Sequence, residues 1–170
     1  MKKTLFNKAL LVILLVFGCF VTTFAQQSKE DKKQQKEAQI QDLVNSKNYV
    51  FVAQQALPLG GRTINLTTTY SVRVAGDTVV SDLPYFGRAF VAPMDPSEGG
   101  IHFTSTDFSY NLQNRKKGGW DIAILPKDTK DVRQMFLTVS ESGYGTLQVT
   151  SNSKEAISYN GYIRERRQKI

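Results

Sequence analysis

From Asn48 the period changes to alternating, in short runs that are broken by Gly, Asn, Asp and Ser and continue to Ile163. YVFVAQQAL, rich in β-branched and aromatic residues, reads as a first strand. YSVRVAGDTVVSDL reads as two short strands about Gly76-Asp77, a pair suited to a tight hairpin because Gly accepts positive φ. Ile101 to Thr104 and Asp107 to Leu112 come next, the latter with Phe108, Tyr110 and Leu112 on one face. A KKGG turn leads into WDIAIL, which aligns Trp120, Ile122 and Ile124. MFLTV and GTLQVT form a further hairpin about Ser142-Gly143, and AISYNGYI closes the series. Eight or nine short strands with no helix between them predict an antiparallel all-β domain, either one sheet curled on itself or two sheets packed face to face.

Ahead of these strands the period is helical. Residues 26–39 are almost wholly polar, and Ile40, Leu43 and Val44 then fall at i, i+3 and i+4, which makes one narrow apolar stripe. The spacing predicts a helix from about Lys29 to Ser46, with Ser28 and Asp31 at the separation of an N-terminal cap. Its second half should dock on the domain and its first half should face water.

The first residues change the picture of where the protein works. MKKTLFNK is basic, and Ala9 to Phe24 is apolar, which is the layout of a secretory signal. Small residues one and three positions before Gln26 predict cleavage after Ala25. The alternative is a lipoprotein signal that acylates Cys19; the apolar run continues beyond Cys19, and Phe17 is bulky where such signals favour small residues. About 16 apolar residues fall short of the roughly 20 that span a bilayer. Cleavage at Ala25 removes the single cysteine, so the mature chain has no disulfide, thiolate nucleophile or cysteine ligand. It also takes three of the 22 basic residues set against 15 acidic ones, leaving 19 against 15. Four of those 19 sit in the terminal RERRQKI, so the body is nearly neutral and offers no broad basic face for nucleic acid. The tail is a candidate for peripheral contact with anionic lipid. The expected organisation is therefore a signal over 1–25, a polar leader and helix over 26–47, a β domain over 48–163 and a basic tail over 164–170, in a protein exported to the periplasm or outer membrane, with the soluble form favoured.

INLTTTYSVRVAGDTVVSDLPYFGRAFVAP, then GGIHF, then SNSKEAISYNGYI, resemble a family of exported bacterial proteins catalogued as domain of unknown function 4251. The resemblance runs from about Lys47 to Ile163. It implies a lipocalin-like barrel of eight or nine antiparallel strands behind one N-terminal helix, in the envelope of Gram-negative bacteria. It brings no activity, ligand, cofactor or catalytic residue to carry over.

Candidate chemistry is sparse. His102, the only histidine, alternates with Ile101 and Phe103 and should face water; no G-x-S-x-G elbow accompanies it. Asp95, Glu98 and His102 would be a thin start to a cation site, since calcium takes six to eight oxygens. Asp77, Asp82, Asp107 and Asp121 lie at turns or strand ends, where Asp serves local hydrogen bonds. No metal or cofactor is expected.

The stretch PYFGRAFVAPMDPSEGG, residues 84–100, is the remaining candidate. Pro84 fixes the chain ahead of Tyr85 and Phe86, Gly87 permits a bend, and Arg88 supplies a planar five-donor fork. Tyr85, Phe86 and Arg88 could hold the anionic end of an amphipathic ligand at a barrel mouth. Alternatively, the aromatics cap the core while Arg88 binds loop carbonyls or Asp82. The expected function is a non-enzymatic exported barrel that binds a small amphipathic or apolar ligand or an envelope component. The alternative is a structural or protein-interaction module whose barrel is filled by its own side chains.

Overall fold

The computed structural model describes residues 30–91 and 99–166. The expected signal, Cys19, the Ser28 cap, Asp95, Glu98 and the end of the basic tail lie outside the described residues. Residues 30–46 are helical (α1). Met1–Lys36 forms a unit of its own, in which the described residues 30–36 are all exposed. The second half of α1 and every strand belong to the unit Glu37–Ile170.

Among the described residues nine strands succeed α1: β1 (Asn48–Pro58), β2 (Ile64–Ala75), β3 (Thr78–Leu83), β4 (Ile101–Ser105), β5 (Phe108–Asn114), β6 (Trp120–Pro126), β7 (Val132–Val139), β8 (Tyr144–Ser151) and β9 (Ile157–Glu165). They form one antiparallel sheet in the order β4-β3-β2-β1-β9-β8-β7-β6-β5. The first and last strands pair along most of their length, from Tyr49↔Glu165 to Pro58↔Ile157. The sheet's two edges, β4 and β5, are joined by only Thr106 and Asp107. The sheet therefore curls into a nearly closed barrel, with one seam between strands that are neighbours in sequence.

The alternation read from the sequence defines the inside. Trp120, Ile122 and Ile124 of β6, Met135, Leu137 and Val139 of β7, and Leu147 and Val149 of β8 are all buried. With Tyr49, Phe51, Val72, Val74, Ile157 and Tyr159 they make one contiguous apolar cluster. Phe108, Tyr110 and Leu112 of β5 pack against it but remain part-exposed, because their strand borders the seam.

In β1 Val50 and Val52 are buried along with the inward-facing residues, and the period of two also shifts at one point. Tyr49, Phe51 and Ala53 face inward, yet the next fully buried residue is Ala56. A bulge at Gln54 supplies the extra residue that resets the period. Opposite it stands Gly161, where a Cβ would come within 2.0 Å of the Val52 carbonyl oxygen. Glycine lets the two backbones close at the bulge. β2 also begins at Ile64, ahead of the Tyr70 start expected from the alternation.

The two ends of the barrel are built differently. At one, α1 brings Ile40 and Val44 to complete burial, while Leu43 is half-buried. Tyr110 Oη donates to the Val44 carbonyl at 2.9 Å, and Gly76 N–H donates to Lys47 O at 2.8 Å. The chain entering β1 is thus tied to the β2–β3 hairpin and to β5. Burial, and then the neighbouring Tyr49 hydroxyl acting against it, set the Tyr110 phenol, which is pushed up to about 12. The other end carries the β1–β2 turn, the start of the 84–100 crossing, and the β6–β7 and β8–β9 corners.

Candidate functional site

At this second end the crossing from β3 is fastened by backbone and side chain. Phe90 N–H donates to Ser153 O at 2.7 Å, Glu155 N–H donates to Arg88 O at 3.0 Å, and Ala89 bridges Lys154 in antiparallel fashion. The Tyr85 hydroxyl lies 2.8 Å from Arg88 O and 3.2 Å from Glu155 O, and shares its proton between them. Lys154 Nζ stands 5.9 Å from the Tyr85 ring centroid and donates to Asp131 Oδ2 at 2.9 Å. From the core side, Tyr159 Oη donates to the Pro84 carbonyl.

Two aspartates anchor the surrounding corners. Asp131 accepts from the hydroxyls of Ser151 and Ser153, from Ser153 N–H and from Lys154. Partial burial opposes its ionisation, but these donors outweigh it and hold the carboxyl far below the usual carboxylate range. Asp128 accepts from Ser105 Oγ and from the N–H groups of Thr106 and Asp107. The Ser105 bond, followed by the Thr106 N–H, lowers its pKa to about 2. Asp128 thereby claims both N–H groups of the two-residue link between β4 and β5. Neither aspartate carried a sequence signal beyond its place in a polar turn.

Between the β1–β2 turn and this fastened crossing runs a groove of about 540 Å³. Pro58, Ile64 and Phe86 give it an apolar side, Arg62 and Arg88 contribute two guanidinium groups, and Glu155 borders it. Among the described residues, neither arginine forms a side-chain ion pair. Exposed Leu59, Phe90 and Val91 belong to the same turn and crossing. Of the three residues singled out from the sequence, Phe86 and Arg88 line the groove together. Tyr85 stands behind it and holds the crossing to the β8–β9 corner. Arg62 carries no sequence signal of its own: it lies in a turn 26 positions before Arg88, and only barrel closure makes them neighbours.

The remaining candidates are bound up in local contacts. His102 is exposed, with Ile101 buried beside it, and its Nδ1 lies 2.9 Å from Asp82 Oδ1. Asp82 is therefore the partner of His102 and not of Arg88. Asp77 accepts from the Thr78 hydroxyl, Asp121 from that of Thr138, and Asp107 faces Lys127 at 3.5 Å. Each serves its own turn or strand pair. Among the described residues no cluster of three His, Cys, Asp or Glu side chains is placed to hold a metal.

These features define a small antiparallel barrel whose interior is its own hydrophobic core, closed by a helix at one end and bearing a cationic, part-apolar groove at the other. Residues 31–163 match the family described as "Domain of unknown function (DUF4251)", and the chain belongs to that family. A crystal structure of a DUF4251 family protein from Bacteroides eggerthii superposes with a TM-score of 0.57 at 17% identity, covering 76% of this chain and 87% of that one. That likeness concerns the fold. No match is found among curated proteins.

Proposed function

We propose that the protein is an exported, non-enzymatic barrel that binds the anionic end of a small amphipathic ligand in the groove between Arg62 and Arg88. The observation that carries this reading is the pairing of two arginines, free of ion pairs among the described residues, with an apolar wall of Pro58, Ile64 and Phe86. A guanidinium offers a fork of donors to carboxylate or phosphate, and the apolar wall accepts a hydrocarbon body. Roughly 300–1,000 Å³ is the usual range for small-molecule sites, and the groove falls within it. The ligand sits on the rim and not in the lumen, because the inward side chains already form one contiguous core. Export is supported by the basic and apolar N-terminal stretch. Among the described residues no helix is long and apolar enough to cross a membrane.

The test compares lauric acid and dodecyl phosphate with octaethylene glycol monododecyl ether, a neutral probe without a sugar, each below its micelle concentration, by calorimetric titration. The anionic probes should bind and the neutral one should not. Arg62→Ala and Arg88→Ala should each weaken binding by about 10- to 100-fold, the size expected when a charge-assisted hydrogen bond is lost. Melting should be nearly unchanged. Equal binding of all three probes, or affinity untouched by both substitutions, overturns the reading.

The filled interior also favours a second reading, a structural or protein-interaction module of the envelope. Native mass spectrometry of protein purified from its own host separates the two: a co-purifying small molecule supports the first, and a stoichiometric protein partner the second.

A further inference from the structure

Between Asn65 and Tyr70, β2 leaves its neighbour. Pairing runs Gln55↔Asn65 and resumes at Ala53↔Tyr70, so β1 advances past the single residue Gln54 while β2 uses Leu66 to Thr69. On its other side β3 reaches only as far as Ser71. Among the described residues the bowed segment therefore has no ladder partner.

The bow is the wall of a groove of about 530 Å³ on the outer face of the barrel, whose lining shares no residue with the arginine groove. Gln54, Gln55, Asn65 and Asn160 present four side-chain amides to it, the bow adds the hydroxyls of Thr67, Thr68 and Thr69, and no charged side chain lines it. A second groove of about 420 Å³ shares Gln54 and Asn160 and extends over β7 and β8 to Thr138, Thr146 and Tyr144. Its Arg115 lies 3.6 Å from Asp121 and is thus already paired. Tyr144 is 63% exposed, and its ring meets Tyr162 edge-on at 6.3 Å between centroids.

Cross-strand bonds orient these amides. Gln55 Nε2 donates to Asn65 Oδ1 at 3.0 Å, and Thr146 Oγ1 donates to Asn160 Oδ1 at 2.9 Å. An amide group carries two donors and two lone pairs, so one such bond leaves most of its capacity for a ligand. A planar amide, with donor and acceptor side by side, matches adjacent hydroxyl groups that are themselves both donors and acceptors. An exposed phenol ring offers a flat apolar surface with a polar edge. Anionic ligands would find no free cation here, and a hydrocarbon would strand the amides without partners.

We infer that this outer face binds a neutral, polyhydroxylated ligand, namely a linear oligosaccharide lying along both grooves across Gln54 and Asn160. The site is independent of the arginine groove, so either can fail alone.

The mature protein is titrated separately with maltohexaose, cellohexaose, xylohexaose and chitohexaose, with amide chemical shifts followed by NMR. At least one probe should shift residues 54, 65–69 and 160 in a saturable manner. Asn160→Ala and Tyr144→Ala should each weaken that probe by about tenfold, the loss expected from one or two hydrogen bonds or a stacked ring. Arg88→Ala should leave it unchanged. Thr67→Ala, at an exposed position on the bow, provides a third variant should Asn160→Ala lower the melting temperature. Absence of shifts with all four sugars, or shifts that survive the substitutions, overturns the inference. Protection of the 66–69 amides by members of an extended hexapeptide library, with no response to any sugar, also overturns it and assigns the bow to strand addition.

Discussion

Asp128 is exposed, yet its carboxylate accepts a hydroxyl and two backbone N–H groups at the corner between β4 and β5. Asp131 does the same work beside the β8–β9 corner, with Lys154 added. Both folded pKa values lie below the unfolded value of about 3.9. A depressed pKa means that the unfolded chain binds the extra proton first, so the stabilisation is complete above about pH 4 and is lost as pH falls toward 2. Denaturant midpoints should therefore be flat between about pH 5 and 7 and drop steeply between about 4 and 2. In Asp128→Asn and Asp131→Asn the midpoint at neutral pH should be lower and the acid slope shallower. An unchanged slope in the double variant would show that neither corner depends on ionised aspartate. Asp131→Asn should be the costlier, by about 1–3 kcal/mol, because it also strips Lys154 of its ion partner; that side chain is only 10% exposed.

Among the elements, α1 and β2 differ in how much of them could be read from sequence. The stripe Ile40, Leu43, Val44 announces a docked helix, and the structure buries Ile40 and Val44 fully. Ile40 reaches the β7–β8 turn, where a Cβ on Gly143 would lie 2.7 Å from Ile40 Cδ1; that glycine also has φ near +88°. Ile40→Ala should then cost about 2–5 kcal/mol, as large-to-small changes in a packed core do. Val44 is the control for its position one turn on: Val44→Ala removes less and should cost less. Thermal melts would check both, and a change within error for Ile40→Ala would mean that α1 does not seal this end. The strands from β3 to β9 were legible because one face is apolar and the other polar. INLTTT was not, since three successive threonines carry no alternation and a four-residue bow obeys no period of two. The rim groove was half legible: Phe86 and Arg88 stand out in an unusual stretch, whereas Arg62 becomes their neighbour only through the pairing of β1 with β9. The outer grooves had no local signature, because their amides come from β1, β2 and β9 and are ordinary in each.

At the scale of the whole molecule, the joint that closes the barrel is the most distant one in sequence. β1 and β9 pair across nearly the whole domain and each has a second neighbour, β2 and β8 respectively. β4 and β5, joined by two residues, each have one neighbour among the described residues, on the side away from the seam. Asp128 has a part in this, since it takes the Thr106 and Asp107 N–H groups at the bend where β4 passes into β5, two strands that run in the same direction in this antiparallel sheet. Protection of backbone amides should follow that architecture. Strands with partners on both sides open only with the global fold, whereas edge strands open locally. In native-state hydrogen exchange, the amides of β1 and β9 should be the slowest in the barrel. Those of β4 and β5 should exchange on the order of a hundredfold faster, which corresponds to a local opening cheaper by about 3 kcal/mol. In Asp128→Asn the weaker hold on Thr106 and Asp107 should speed exchange at that link and leave β1 and β9 in step with the change in global stability. Equal protection of β4, β5, β1 and β9 would mean that the seam is bridged by hydrogen bonds and the barrel is closed.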